Sequence, residues 1–399
     1  MTQAFEGISI LDFTQVFAGP FAAMQLALLG AEVIKIEQPL HGDQTRNLMN
    51  AIDGKALSPA FVAMNFNKRS LTLNLKSDQA TAIIRKLVAN TDVVIENFKA
   101  GTMTKLGLDY NALNKIKPDL IYCSVTGYGQ QGPKAGEAAY DGAIQAASGM
   151  MSQNGHPTTG PTRTGFMPVD MATSLNAAFA IAASLHRKAQ TGEGQYIDVA
   201  MLDTAIVVQA AQFSNYFNQG KKLGLMGNAS PTGQPTANVF ATKDGFIQIT
   251  ALRQNQVEKL FDAFGRIEDL RRPEFADPSS RAKNAALIND YVTEQLQQRN
   301  TREWLLDLAK RGIPVAEIRD VPQVIADPQL AHREIFASVA SPNQPGKEIK
   351  AVKAGFMATP DGPKVISAPP LLGADNHQIL TALGYSESEY ADLKAKGVI

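Results

Sequence analysis

Short apolar runs alternate with longer stretches of helical periodicity through the first half of the chain. "ISILDF" (residues 8–13) reads as a strand, "GPFAAMQLALLGA" (19–31) as a helix and "EVIKIE" (32–37) as the next strand. Strand "SLTLNL" (70–75), helix "SDQATAIIRKLVAN" (77–90) and strand "DVVIENF" (92–98) repeat the pattern, followed by helix "LDYNALNKI" (108–116) and strand "DLIYCSVTG" (119–127). Strands that are apolar nearly throughout belong to a sheet covered on both faces. Their alternation with helices predicts parallel βαβ units. The fold class expected is α/β: a Rossmann-like, doubly wound parallel sheet in a large domain over residues 1–200. "TGEGQYIDVAML" (191–202) closes that domain with a turn and a further strand.

Beyond it the pattern loosens. Residues 201–224 are expected to be a linker, and 225–320 a smaller α+β domain. "GLMGNASPTGQPTANVF" (224–240) is rich in Gly, Pro, Ser and Thr and reads as loop. "ATKDGFIQITAL" (241–252) reads as a hairpin turning at Asp244-Gly245. Helical periodicity returns in "NQVEKLFDAFG", "AALINDYVTEQLQQR" and "TREWLLDLAKRG", and two short helices are expected in the tail after Asn376.

Composition narrows the class. A chain of 399 residues is too long for one ordinary core and suggests two domains. The 38 basic and 38 acidic residues cancel, so nothing favours nucleic acid or an anionic membrane as partner. The apolar runs are too short for a membrane span, and the N-terminus lacks the pattern of a signal peptide. A cytoplasmic protein is expected. The one cysteine, Cys123, lies in the apolar run "LIYCSV" and reads as packing. The five histidines show no metal-ligand spacing, so no metal site is expected.

The first strand–helix turn, "DFTQVFAGP" (12–20), lacks the G-x-G-x-x-G fingerprint, which argues against a dinucleotide-dependent oxidoreductase. "GYGQQG" (127–132) is followed by Pro133 and a charged stretch rather than an apolar helix, and reads as a surface loop. No G-x-S-x-G elbow supports serine hydrolysis. Basic residues gather near the ends of the early elements: Lys68, Arg69, Lys76, Lys99 and Lys105. Solvated termini explain them most simply. Their position at strand ends, where α/β folds bind ligands, also makes them candidates for a polyphosphate.

Asp170, in "PVDMATSLNAAFAIAASLHR" (168–187), stands at the start of a long, nearly uncharged helical run. Aspartate is a preferred N-cap, so capping is the plain reading. The same position suits a nucleophilic carboxylate, kept ionised by the helix dipole beside free N–H groups that can stabilise an oxyanion.

The stretches "GISILDFTQVFAGPFAAMQLALLGAEVIKIEQPLHGD", "FNKRSLTLNLKS", "DVVIENFKAG", "LIYCSVTGYGQQGP", "YDGAIQAASG", "PVDMATS" and "HRKAQTGEGQYIDVAMLD" together resemble the class III CoA-transferases, of the formyl-CoA transferase, carnitine CoA-transferase and CaiB-BaiF type. The resemblance implies a Rossmann-like large domain completed by residues from about 320 to 399, an inserted small domain and an interlocked homodimer. It implies that Asp170 is the catalytic nucleophile. It carries CoA contacts onto Val16, Phe17 and Ala18, Gln38, Leu73 to Lys76 (with Asn74 and Leu75), Asn97, Phe98 and Lys99, Lys105, Tyr140 and Asp141. Gln15, Phe17, Gly227 and Asn228 become candidates for the acyl pocket. The substrates implied are an acyl-CoA and a small carboxylic acid, with CoA as substrate and no further cofactor.

The chain departs from the family pattern where it has Gln38 in place of a basic residue and lysines at 99 and 105 in place of arginine, which lose the planar fork. The apolar Phe17 points to an acyl group larger than formyl or oxalyl. Two other readings share the fold. An acyl-CoA racemase needs an acid/base pair, whereas this chain has Tyr140-Asp141 and "VDMATS" where those enzymes have His-Asp and Asp-Phe-Gly-Gly. A non-catalytic acyl-CoA-binding protein leaves Asp170 without a role.

Overall fold

The computed structural model describes residues 3–48 and 57–399. Six strands form one parallel sheet: β1 (Ser9–Asp12), β2 (Glu32–Glu37), β3 (Lys68–Thr72), β4 (Val93–Glu96), β5 (Ile121–Thr126) and β6 (Gln195–Ala200). Their order is β3-β2-β1-β4-β5-β6. The chain winds outward from β1 in one direction and from β4 in the other. The loops after β1 and β4 therefore diverge and leave a crevice at the carboxyl ends of these two strands.

Alternate side chains of each strand feed two separate cores. On one face Ile10, Val33, Ile95, Cys123 and Val199 pack with Ala22, Ala23 and Leu26 of helix α1 (Ala18–Ala27) and with Ala177, Ala178 and Ile181 of a long helix that begins at Pro168. Small residues on both helices let them approach closely over the sheet. On the other face Leu11, Ile36, Leu71, Val94 and Tyr122 pack with Ile83, Ile84 and Leu87 of helix α2 (Asp78–Val88). Ile379, Leu380 and Leu393 from the C-terminal helices Asn376–Ala382 and Glu387–Ala395 complete that layer. Cys123 is fully buried, and burial raises the pKa of its thiol far above the usual range.

The chain divides into two compact units. One comprises Met1–Met150, Thr164–Gly220 and Pro328–Ile399; the other comprises Met151–Arg163 and Lys221–Asp327. In the second unit an antiparallel hairpin, Ala237–Ala241 with Phe246–Thr250, turns through Asp244 and Gly245 and pairs with Val315–Glu317. Helices Gln254–Ala263, Ala285–Leu296 and Thr301–Lys310 cover it around Phe261, Phe275, Ile288 and Trp304.

Three details differ from the sequence reading. Residues 201–224 are mostly helical rather than linker, with Met201–Val207 and Ala210–Gln219 both in the first unit. The apolar residues there include Val207, Tyr216 and Phe217, which stay exposed rather than forming one buried stripe. Residues 151–163 leave the large unit for the other one, where Gly155–His156 pairs with Gly160–Pro161. The helix read over 108–116 is one turn, Tyr110–Leu113, capped by Asp109.

Candidate active site

Asp170 lies in the first turn of the long helix, here α4 (Pro168–Thr191), which follows α3 (Asp141–Ala147). It is not the cap. Met167 holds the N-cap position and makes no side-chain cap bond, and Pro168 takes the first helical position, where a missing N–H costs nothing. The capping carboxylate comes from another helix: Asp141 Oδ2 accepts from the N–H of Val169 at 2.8 Å and of Asp170 at 3.0 Å. The amides expected to be free for an oxyanion are thus occupied. Asp141 is itself buried, and its Oδ1 accepts from Gln145 Nε2 at 2.5 Å. A C′ glycine, Gly192 at φ 72°, ends α4.

With the cap supplied elsewhere, the side chain of Asp170 is left for other work. It is 9% exposed, and its pKa is pushed up to about 7, first by burial and then by the charge of Asp141. This reverses the expectation that the helix terminus holds Asp170 ionised. Desolvation and a like charge outweigh the dipole.

Asp170 opens into a cleft of about 410 Å³ at the crevice between β1 and β4. The loop after β1 contributes Gln15, Val16, Phe17 and Ala18; the loop after β4 contributes Asn97, Phe98 and Lys99; Tyr140 stands on the rim beside Asp170, 66% exposed. Nine of the residues read from the sequence therefore meet here. The cleft also takes Gln44, Val125, Thr126, Gly127, Ala139 and Met201, which sequence reasoning missed. Gln44 donates from Nε2 to Gln15 Oε1 at 3.4 Å. Its only signal was its place just after the "LHGD" stretch. Thr126 was read as the end of a strand, and Gly127 both as that end and as the start of the surface loop 127–132.

Other expected contacts lie elsewhere. Gln38, Lys76 and Lys105 are exposed, after β2, after β3 and on the short helix Thr102–Lys105, and none lines this cleft. Leu73 is fully buried in the sheet core, and Leu75 packs against it, so their side chains face away from any ligand. Asn74 bonds its N–H to the Val398 carbonyl and its side chain to the Lys76 N–H. Lys68 is no phosphate ligand: it is buried and paired with Asp12 at 2.7 Å. Gly227 and Asn228 belong to the other unit, where a Cβ on Gly227 (φ 58°) would meet the His156 ring at 2.6 Å.

Lys99 also borders a second cleft of about 380 Å³, lined by Glu96, Tyr122, Ser124 and Tyr196. Burial raises the Glu96 carboxyl to about 7, against the opposing bonds from Ser124 and the Phe98 N–H. Among the described residues no cluster of His, Cys, Asp or Glu could hold a metal ion, and no helix is long and apolar enough to cross a membrane.

The arrangement offers one partly protonated, desolvated carboxylate at the base of a cleft whose mouth holds amides, an aromatic ring and a cation. The relatives of the chain fit such a site. The family model described as CoA-transferase family III matches residues 5–376. A succinate–glutarate CoA-transferase of Agrobacterium fabrum is 35% identical over 384 residues, covering 94% of this chain and 95% of that protein. A succinyl-CoA:glutarate CoA-transferase of Homo sapiens is 35% identical over 406 aligned residues, covering 99% of this chain and 89% of its own. A crystal structure of a CAIB/BAIF family protein from Brucella suis matches with a TM-score of 0.86 at 34% identity, over 96% of this chain and 100% of that one. The chain belongs to CoA-transferase family III.

Proposed function

We propose that the protein moves CoA from an acyl-CoA to a small dicarboxylic acid through covalent intermediates on Asp170. The observation that carries this reading is Asp170 itself, relieved of capping by Asp141, buried, and facing the switch-point cleft. A carboxylate made more basic by desolvation is a better nucleophile once ionised, and near neutral pH both forms are populated.

The steps balance without any group beyond the substrates. An Asp170 oxygen attacks the thioester carbonyl, the C–S bond breaks, and CoA leaves as thiolate from a mixed anhydride. The thiolate then attacks the Asp170 carbonyl carbon and expels the donor acid, leaving an aspartyl-CoA thioester. The acceptor carboxylate attacks that thioester and forms a second anhydride. The released thiolate attacks its acyl carbon, forming the new acyl-CoA and restoring Asp170. Each step exchanges one activated acyl bond for another, which is how covalent catalysis divides a difficult transfer.

Succinyl and glutaryl groups are named for the relatives, and the cleft here suits chains of that kind. Phe17 offers apolar contact for methylenes, while Gln15 and Gln44 offer amide donors to a distal carboxylate. Exposed Lys76, Lys99 and Lys105, with Gln38, are assigned to the CoA phosphates. We further assign the protein to a homodimer, interlocked as the family resemblance implies. Helix α4 exposes Leu175 and Phe179, and helices Met201–Val207 and Ala210–Gln219 expose Val207, Tyr216 and Phe217, an apolar surface that a second copy would cover. The cytoplasm is the compartment this reading expects.

The test is a matrix of acyl-CoA donors (succinyl, acetyl, glutaryl, formyl) against carboxylic acids, with products read by chromatography and mass. Transfer between C4 and C5 dicarboxylates above the other pairs is expected. Transfer confined to formyl or oxalyl groups overturns the substrate class. Deuterium uptake at the α-carbon of a 2-methylacyl-CoA in heavy water, without transfer, overturns the reaction.

A further inference from the structure

Val16 sits at φ 71° in the loop between β1 and α1. A β-branched residue rarely enters the left-handed region and stays there only when its surroundings hold it. Here three side chains grip three consecutive backbone positions. Lys35 Nζ donates to the Thr14 carbonyl at 2.6 Å. The Asn97 side chain grips Gln15 from both sides, accepting its N–H at 2.8 Å and donating to its carbonyl at 2.7 Å. Asp43 Oδ1 accepts the Val16 N–H at 3.2 Å. The far end of the loop is wedged as well: a Cβ on Gly19 would lie 2.3 Å from Thr14 Cβ.

Two of the three grips belong to a buried charge cluster. Lys35 and Asp43 pair at 2.9 Å with both side chains fully buried, Lys68 pairs with Asp12 at 2.7 Å, and Arg46 with Glu37 at 2.6 Å. Three cations thus meet three carboxylates, and Lys35 and Asp43 among them reach the loop. Buried pairs of this kind seldom stabilise a fold more than apolar side chains of the same volume, so stability alone does not account for them. What distinguishes these is the loop they hold. Its two side chains on either side of Val16, Gln15 and Phe17, face the cleft that contains Asp170.

We propose that Lys35, Asp43 and Asn97 are positioning residues that hold Val16 in its strained conformation, so that Gln15 and Phe17 meet the acyl group beside Asp170. The proposal rests on reading that cleft as the site of acyl transfer. It also reassigns Asn97: its amide is committed to the backbone of Gln15 rather than to CoA.

The test uses the full chain and four variants: Asn97→Ala, Asp43→Asn, Val16→Gly and Asn97→Ala with Val16→Gly. Asn97 is only half-buried, so its removal leaves the fold in place even where Asp43→Asn, which strips Lys35 of its buried partner, does not. Asn97→Ala is expected to lower kcat about 10-fold or more, with a smaller change in KM for acyl-CoA. Adding Val16→Gly to Asn97→Ala is expected to recover at least about 3-fold of the loss, because glycine enters positive φ as readily as negative φ. A merely structural Asn97 would lower the melting temperature and leave kcat in place; a CoA ligand would raise KM and gain nothing from Val16→Gly. Either result overturns the proposal. Hydrogen exchange at the Val16 amide, read in the same variants, does not depend on the reaction. A wild type that transfers no CoA sinks the functional reading only. The grips are then judged by exchange: faster in Asn97→Ala supports them, and unchanged overturns them.

Discussion

One oxygen of Asp141, Oδ2, holds the backbone N–H groups of both Val169 and Asp170, at 2.8 and 3.0 Å. The same carboxylate adds its charge to the burial that raises the Asp170 pKa. Cap and electrostatic neighbour are therefore one group, and substitution can separate the two roles.

Asp141→Asn keeps an acceptor oxygen for the amides but removes the charge. The acid limb of the kcat/KM profile should move to lower pH than in wild type, with a modest loss of stability where the new amide nitrogen meets the Gln145 Nε2 donor. Asp141→Ala should show the same shift and also lose about 1 kcal/mol of stability with the cap. A pH–rate profile beside a denaturant titration measures both. An unmoved acid limb in both variants would remove Asp141 from the electrostatics of Asp170.

The wild-type profile itself should rise with an apparent pKa of about 7, as Asp170 ionises. Stability should run the other way. The folded pKa lies above the ordinary 3.8, so the folded chain binds the extra proton between those values, and stability falls as pH rises through that window. Asp170→Asn has no such proton to lose. Its melting temperature should match wild type near pH 4 and exceed it at pH 8, while transfer is lost. Equal melting temperatures at both pH values would mean that Asp170 is not desolvated.

The lysines near the strand ends should fall into two groups. Lys76→Ala and Lys105→Ala, both at exposed positions, should weaken CoA binding at low salt by up to about tenfold and much less at high salt. Lys68→Ala should instead cost roughly 3–5 kcal/mol of stability, because it leaves Asp12 buried without its partner. Titration calorimetry at two salt concentrations and thermal melts separate the groups.

The apolar surface on α4 and the following helices gives a test of assembly. Phe179 is 72% exposed and Phe217 74% exposed in the single chain. Phe179→Asp with Phe217→Asp should lower the mass in light scattering from that of a dimer toward that of a monomer. A wild type that is already monomeric contradicts the assignment.

Much of this architecture was legible because burial leaves strong periodic marks. The runs from Ile8 to Phe13 and from Asp92 to Phe98, apolar nearly throughout, pointed to a parallel sheet covered on both faces. The residues flanking those strands, Gln15 to Ala18 and Asn97 to Lys99, came from the family resemblance, and the adjacency of β1 and β4 in the sheet is what brings them to one cleft. What pattern reading could not supply was pairing across the chain. Lys35 and Lys68 look like surface cations in sequence, and only the register of β1, β2 and β3 shows them buried against Asp43 and Asp12. Asp170 looks like a cap until Asp141, 29 residues earlier, is seen to occupy its amides. The helices over 201–219 were missed because half-exposed faces blur the helical period.

The central claim is that Asp170 becomes covalently acylated, and trapping tests it most directly. The protein is incubated with succinyl-CoA, quenched with hydroxylamine and digested, and the peptide bearing Asp170 is weighed. An anhydride or thioester on Asp170 is an activated acyl group, so hydroxylamine should convert that side chain alone to a hydroxamate, only when acyl-CoA is present, with loss of transfer activity in proportion. A full complement of transfer activity alongside an unmodified Asp170 peptide would contradict the account.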